Sequence, residues 1–225
     1  AHASPQAQFL WALYRDVFHY VAVHLGSIAD NARDVDLAMR WGFGWSQGPF
    51  ENWQAAGWQE IAAAIKADID AGKAMVKTPL PDWVFDGRTG VHAPEGSFSA
   101  KDKALKPRST LPLYQRQWFP ELVLGETQLQ GTTIFENEGV RMWTAAQSGD
   151  IPILSFKSKM HVIGAEVMAG VIEAVARAEK GYAGLVIWQD KPPFSAGANL
   201  YQLAPLIMAG SWSELEKGVA YFQQM

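Results

Sequence analysis

The stretch 151–189 constrains this chain most. It reads "IPILSFKS", then, after "KMH", "VIGAEVMAGVIEAVARAEKG", then "YAGLVIWQ". The outer segments are short, apolar and partly β-branched, as buried strands are. Between them Val162, Val167, Val171, Ile172 and Val175 recur at helical spacing, and Gly181 is the stop. Strand, helix and strand at this spacing form a βαβ unit: parallel strands need a crossover, and a right-handed one is expected. Just upstream, "TTIFENEGVRMWTA" places a turn at Asn137–Gly139 between two strand-like runs. Residues 126–225 therefore read as an α/β domain. Its last segment, "SWSELEKGVAYFQQM", is a helix starting at Ser211 or Ser213. That helix runs to the final residue without a terminator, so the domain reads as incomplete.

Residues 1–75 have a different period. In "QFLWALYRDVFHYVAVHLGSI", residues 8–28, Leu10, Leu13, Val17, Val21 and His24 or Leu25 repeat at helical spacing, and Phe9, Trp11 and Tyr20 widen the face. A second helix follows, capped by Asp30 or Asn31, carrying Val35, Leu37, Ala38 and Trp41, and ended by Gly42 and Gly44. After a turn at Gly48–Pro49, helices are predicted from about Phe50 to Ala56 and from about Trp58 to Ala71, with Gly72 as the stop. This part is an all-helical unit. Residues 76–125 are punctuated by Pro79, Pro81, Pro94, Pro107, Pro112 and Pro120 and read as a mostly irregular connector. A hairpin is possible through "GVHAPEGSFSA", and Trp83, Phe85, Trp118 and Phe119 argue that the segment packs on a folded surface.

Charge and residue usage exclude several function classes. The net charge of −4 and the lack of a long basic run argue against a nucleic-acid surface. With no cysteine, disulfides and thiolate metal sites are ruled out. The apolar runs are too short to span a membrane. "AHASPQAQ" lacks the basic-then-apolar order of a signal peptide, and without an initiator Met the chain is expected to be processed or a piece of something longer. A cytoplasmic setting fits. The ten tryptophans suit interfaces between elements, where a large ring is buried while its N–H still finds an acceptor.

The chemistry-bearing segment follows the second strand of the βαβ unit, where α/β folds present ligands. There "FSAGANL", residues 194–200, puts Ala196, Gly197 and Ala198 in a row, and their lack of bulk lets another molecule approach the backbone. The motif resembles the "F-x-A-G-A-D-L" segment of the enoyl-CoA hydratase/isomerase family, the crotonase fold. The resemblance implies that the backbone N–H of Ala198 is one half of an oxyanion hole for a thioester carbonyl. It also implies that Lys157, Lys159, Met160 and Ala196 lie where coenzyme A is contacted. Asn199 replaces the family's carboxylate, which leaves a backbone donor unaffected. The same resemblance implies a second donor and catalytic glutamates further along. Glu214 and Glu216, on an early helix at surface spacing, do not fit those roles.

The helical part carries its own motif. "NARDVDLAMRWGFGWSQGPFENWQAAGW", residues 31–58, resembles the C-terminal domain of 3-hydroxyacyl-CoA dehydrogenases through Asp34, Val35, Asp36, Ala38, Met39, Gly42, Phe43, Gly44, Gly48, Pro49, Phe50 and Gly57. Ser46 and Gln54 stand where that pattern has Pro and Asp. The order of the two motifs resembles bacterial fatty-oxidation fusions in which the hydratase follows the dehydrogenase. The resemblance implies a multidomain chain: a dehydrogenase C-terminal helical domain, then the start of a crotonase-like domain. It implies a parent enzyme that oxidises (3S)-3-hydroxyacyl-CoA with NAD and hydrates trans-2-enoyl-CoA. It also implies acyl-CoA thioesters as partners and a homo-oligomer. No G-x-G-x-x-G loop for NAD occurs here, so this chain alone is expected to be inactive. The alternative is a non-catalytic acyl-CoA-binding or dimerisation module.

Other candidates read as structural. His19 and His24 are five apart, not at the i,i+4 spacing of a helical metal pair, and no metal site is expected. His92 reads as a surface residue, and Asp34 and Asp36 as structural or solvated. His161 either caps the helix or touches a ligand. "SQGPF" lacks the spacing of a phosphate loop. For Gly197 and Ala198 a tight strand-to-helix turn and an oxyanion donor are compatible readings.

Overall fold

The computed structural model describes residues 4–225. Its contacts divide the chain into two compact units, one reaching Thr127 and one spanning Gln128–Met225.

The first unit opens on α1 (Pro5–Ile28), α2 (Ala32–Phe43) and α3 (Pro49–Asp70). Each start has a local cause. Ser4 caps α1 through the Ala7 N–H, with Pro5 in the first turn. Asn31 caps α2 through the Arg33 N–H, and Gly44, at φ 70°, ends it in the left-handed conformation. At α3, Pro49 follows Gly48, whose N–H donates to Glu51 Oε2 at 2.8 Å. The two helices predicted on either side of Gly57 form one element with a kink at that residue.

The unit is not all-helical. Residues 76–127 belong to it, and the division expected at residue 75 is not where the contacts divide. Leu80, Val84, Val91 and Phe98 share one core with Phe18, Leu25, Phe50, Trp53, Trp58 and Ile65. The prolines interrupt helix but do not prevent burial. Strands β1 (His92–Ala93), β2 (Gly96–Ser99) and β3 (Ala104–Lys106) form an antiparallel meander, followed by the one-turn α4 (Pro112–Gln115). The Gln54 carboxamide is fixed against β1: its oxygen accepts from the Val91 and His92 N–H groups and its nitrogen donates to the His92 carbonyl, each at 2.9 Å. Trp53 and Trp58 stack with centroids 4.2 Å apart, and Trp58 Nε1 donates to the Val84 carbonyl. Trp58 thus ties α3 to the 3-10 turn Asp82–Phe85, while Trp53 Nε1 donates to the Trp58 carbonyl, so both N–H groups are satisfied. Glu126 is held between Arg33 (2.7 Å) and Arg108, with both its carboxylate oxygens engaged.

Two expectations need correction here. The buried side of α1 consists of Arg15, Phe18, His19, Val21, Ala22 and Leu25, whereas Phe9, Leu10, Leu13 and Tyr20 are exposed. The helix is apolar on more than one side. Its rotation is decided by polar partners: Arg15 pairs with Asp16 and Asp68, and His19 Nε2 reaches the Thr78 carbonyl at 2.7 Å. His92 is not on the surface. It is buried against Asp36, which itself accepts the Phe50 and Glu51 N–H groups at 2.9 and 3.0 Å. Asp36 thus satisfies donors left open at the start of α3.

The second unit has a four-stranded sheet in the order β4 (Thr132–Glu136), β5 (Val140–Thr144), β6 (Ile153–Phe156), β7 (Val186–Ile187). β4, β5 and β6 are antiparallel, and β7 is parallel to β6. The connection between the parallel strands is α5 (Ala165–Gly181), as the spacing predicts. Asn137 Oδ1 accepts from Gly139 and Val140 and closes the turn between β4 and β5. The core lies between one sheet face and one helix face: Val140, Met142, Leu154 and Phe156 against Val167, Val171, Ala174 and Ala178. Gly170 lets the helix approach closely, since a Cβ there would collide with Val140.

β7 is shorter and wetter than a buried strand. Val186 and Ile187 are both exposed. Helices α6 (Leu200–Met208) and α7 (Trp212–Gln224) bury no residue of their own, and Ile207, Met208, Trp212, Val219 and Phe222 are exposed. Among the described residues no helix is long and apolar enough to cross a membrane.

Candidate functional site

The segment after β7 returns to the start of α5. Ile163 and Ala198 form an isolated parallel bridge. Ile163 N–H donates to the Gly197 carbonyl at 2.8 Å, and Asn199 N–H donates to the Ile163 carbonyl at 2.9 Å. In that pattern both bonds come from the residues flanking Ala198, so Ala198 directs its own N–H and C=O away from Ile163. The Ala198 N–H has no acceptor among the described residues. Ala198 and Ala196 are exposed. Gly197, at φ 85°, occupies a region that side-chain-bearing residues disfavour.

The loop around this N–H is densely bonded. Met160 and His161 both have positive φ, 55° and 52°, which costs a residue with a side chain. Their carbonyls accept from Ala196 N–H (3.1 Å) and Ser195 Oγ (2.7 Å). The Ser195 hydroxyl also accepts from Gly197 N–H at 3.0 Å. His161, buried, uses Nδ1 to donate to the Pro193 carbonyl at 2.7 Å.

Just beyond, α6 begins. Asn199 caps it by accepting from Tyr201 N–H at 3.1 Å, so the side chain that departs from the carboxylate pattern has a structural use. The positive end of the α6 dipole lies beside the Ala198 backbone. Gln202 reaches back from α6, accepting from Ala165 N–H at 3.0 Å and donating to Glu166 at 2.9 Å. A free N–H at a helix start is suited to an oxygen that gains negative charge.

The expected coenzyme-contacting residues separate. Met160 and Ala196 are joined by their backbones, and Lys159 precedes Met160 in a short turn. Lys157 is committed elsewhere: its Nζ pairs with Glu136 at 2.6 Å and the Asn137 carbonyl at 2.8 Å. That ammonium holds the Glu136 carboxyl below its ordinary range. The roles of Ser195 and Gln202 and the capping role of Asn199 belong to no sequence motif. The signal for Ser195 was local: a serine two residues before a glycine can bond the backbone ahead of it. Glu214 pairs with Lys217 on an exposed face of α7.

In the first unit, Asp36, His92 and Ser97 form a buried chain. His92 Nε2 lies 2.7 Å from Asp36 and Nδ1 lies 2.8 Å from Ser97 Oγ. Burial pushes the Asp36 carboxyl up, while His92 pulls the other way. All three side chains are shut off from solvent, so this geometry braces α2, α3 and the sheet. Among the described residues no cluster of His, Cys, Asp or Glu could hold a metal ion.

No family model matches the chain, and no solved structure matches it. A Bacillus subtilis protein named as a probable 3-hydroxyacyl-CoA dehydrogenase is 26% identical over 227 aligned residues, covering 96% of this chain and 26% of that protein. A Rickettsia felis protein assigned as a fatty acid oxidation complex trifunctional enzyme is 26% identical over 212 residues, covering 93% of this chain and 25% of that protein. The chain therefore spans about a quarter of the length of these relatives. It is distantly similar to both proteins along nearly its whole length.

Proposed function

We propose that this chain is part of a cytoplasmic fatty-acid β-oxidation enzyme and that its second unit is the first part of a crotonase-like, acyl-CoA-binding domain. The observation that carries the reading is the outward-facing Ala198 N–H at the start of α6. Hydration of trans-2-enoyl-CoA drives negative charge onto the thioester oxygen, and a preorganised backbone donor stabilises that charge. Met160 and Ala196, with Lys159 beside them, would flank the coenzyme A moiety. Lys157 would serve only if released from Glu136. The second donor and the acid–base carboxylates of that reaction are assigned to no residue here. The parent would also oxidise (3S)-3-hydroxyacyl-CoA with NAD. The residues of this chain do not fit NAD, since no G-x-G-x-x-G turn links a strand to a helix, and no step of that oxidation is derived from them.

Calorimetric titration with a medium-chain trans-2-enoyl-CoA tests the reading. Saturable binding that Ala198→Pro removes, with the fold intact by circular dichroism, is the expected result. Binding equally strong in Ala198→Pro would refute the donor role, and no binding by the parent chain would refute the acyl-CoA reading.

A second reading, a module that dimerises, rests on a different observation. Phe9, Leu13, Tyr20 and Ile28 of α1 line an apolar groove of about 800 Å³ with Val35 and Met39 of α2. A second copy of the chain would cover this face. Sedimentation at rising concentration should then show a dimer that Leu13→Lys dissociates; a strict monomer would rule it out.

A further inference from the structure

We infer that Ser195 is a positioning residue for the Ala198 N–H and that His161 is its anchor. The inference rests on the proposed donor role of Ala198 and adds the groups that would make that donor rigid. Of the four consecutive backbone N–H groups from Ala196 to Asn199, three are engaged: Ala196 with Met160, Gly197 with Ser195 Oγ, and Asn199 with Ile163. The remaining one, Ala198, has no acceptor among the described residues.

Gly197 is the weak point of this arrangement. A glycine populates both signs of φ readily, so the peptide that carries the Ala198 N–H can rotate unless something holds it. Two anchors do so: the Gly197 carbonyl of that same peptide accepts from Ile163 N–H at 2.8 Å, and the Ser195 hydroxyl fixes the other side of Gly197. Ser195 Oγ accepts from Gly197 N–H at 3.0 Å and donates its proton to the His161 carbonyl at 2.7 Å. No other side chain in 194–198 bonds across to the 160–163 segment.

The acceptor is itself fixed. His161 sits at φ 52°, a conformation that persists in a residue with a side chain only when its surroundings over-determine it. Its buried ring supplies that constraint by donating from Nδ1 to the Pro193 carbonyl at 2.7 Å. Residues 193 and 195 are thus pinned to one histidine, through its ring and its carbonyl, just before the donor. A donor preorganised in this way needs no reorientation when charge develops on its acceptor.

The test uses the whole chain in two states. In the free protein, amide hydrogen exchange of Ile163 and Asn199 should accelerate about tenfold in Ser195→Ala, with core amides of Leu154 and Val171 unchanged. Ser195→Thr, which keeps the hydroxyl, should restore protection. Unchanged exchange in Ser195→Ala overturns the inference, whether or not a ligand binds. In the complex, the probe is trans-2-octenoyl-CoA labelled with carbon-13 at the thioester carbonyl. Binding should move that resonance downfield as the carbonyl is polarised. Ser195→Ala should leave the dissociation constant within about threefold while cutting the shift by half or more, and Ser195→Thr should recover it. His161→Phe should reproduce the loss. If Ala198→Pro leaves the shift intact, the donor reading itself fails. If Ala198→Pro removes the shift but Ser195→Ala does not, the donor stands and the positioning role is overturned.

Discussion

Asp36→Ala should be among the most damaging single changes to the first unit. The wild-type carboxylate is wholly buried and accepts three donors: His92 Nε2 at 2.7 Å, Phe50 N–H at 2.9 Å and Glu51 N–H at 3.0 Å. Alanine leaves all three unpaired in a site that water does not reach. Each orphaned buried donor costs about 1–3 kcal/mol, and breaking a buried pair by removing one partner costs about 3–5 kcal/mol. The contributions overlap, so about 4–6 kcal/mol is expected in total. That is a large share of the roughly 5–15 kcal/mol that holds a domain folded. Urea unfolding followed by far-ultraviolet circular dichroism and tryptophan fluorescence measures it, since Trp53 and Trp58 lie in the same core as Phe50. At about 1–3 kcal/mol per molar urea, the midpoint should fall by about 1.3 M or more. A double-mutant cycle supplies the refutation. If the chain Asp36–His92–Ser97 braces the fold, His92→Ala should cost much less in the Asp36→Ala background than alone, because the donor facing the missing carboxylate leaves with it. A loss below about 1 kcal/mol for Asp36→Ala, or additive costs in the cycle, would refute the reasoning.

Two further outcomes follow from the packing and charge. Burial pushes the Glu126 carboxyl up, but Arg108, the Val123 N–H and Arg33 outweigh it and hold it below its ordinary value of 4.5. Its stabilising contribution is therefore complete above pH 4.5 and is lost as the pH falls through the lowered value. Glu126→Gln should flatten the stability of the first unit against pH below 4.5, and equal slopes in variant and wild type would contradict this. In the second unit, Gly170→Ala should destabilise by about 1–3 kcal/mol, measured by thermal unfolding, because the new methyl meets Val140. Helix propensity alone predicts a gain of about 1 kcal/mol, so the sign of the change decides between the two.

Much of the element order was legible because its signals are local. Asn31, Gly44 and Pro49 mark helix ends through their own backbone and side-chain chemistry. The strand–helix–strand run at 151–189 has one economical arrangement, and β6, α5 and β7 adopt it. At the candidate site the row of small residues was visible, and the structure adds that Ala198 keeps a free N–H among the described residues. Ser195 carries no such signal for its bond across to His161, since that partner lies 34 positions upstream. The commitment of Lys157 to Glu136 also depends on pairing between strands, which no local pattern encodes.

The sequence by itself determined where helices begin and stop, which segments can be strands, and which residues are small enough for close backbone approach. Steric and hydrogen-bonding preferences within a few residues suffice for that. Only the tertiary structure decided that Leu80, Val84, Val91 and Phe98 share a core with the helices, that α1 turns Arg15 and His19 inward while Phe9 and Leu13 face out, and that His92 is buried against Asp36. Those outcomes depend on partners tens of residues away. An apolar or polar side chain declares what it needs, but the chain must fold before the site that meets the need exists.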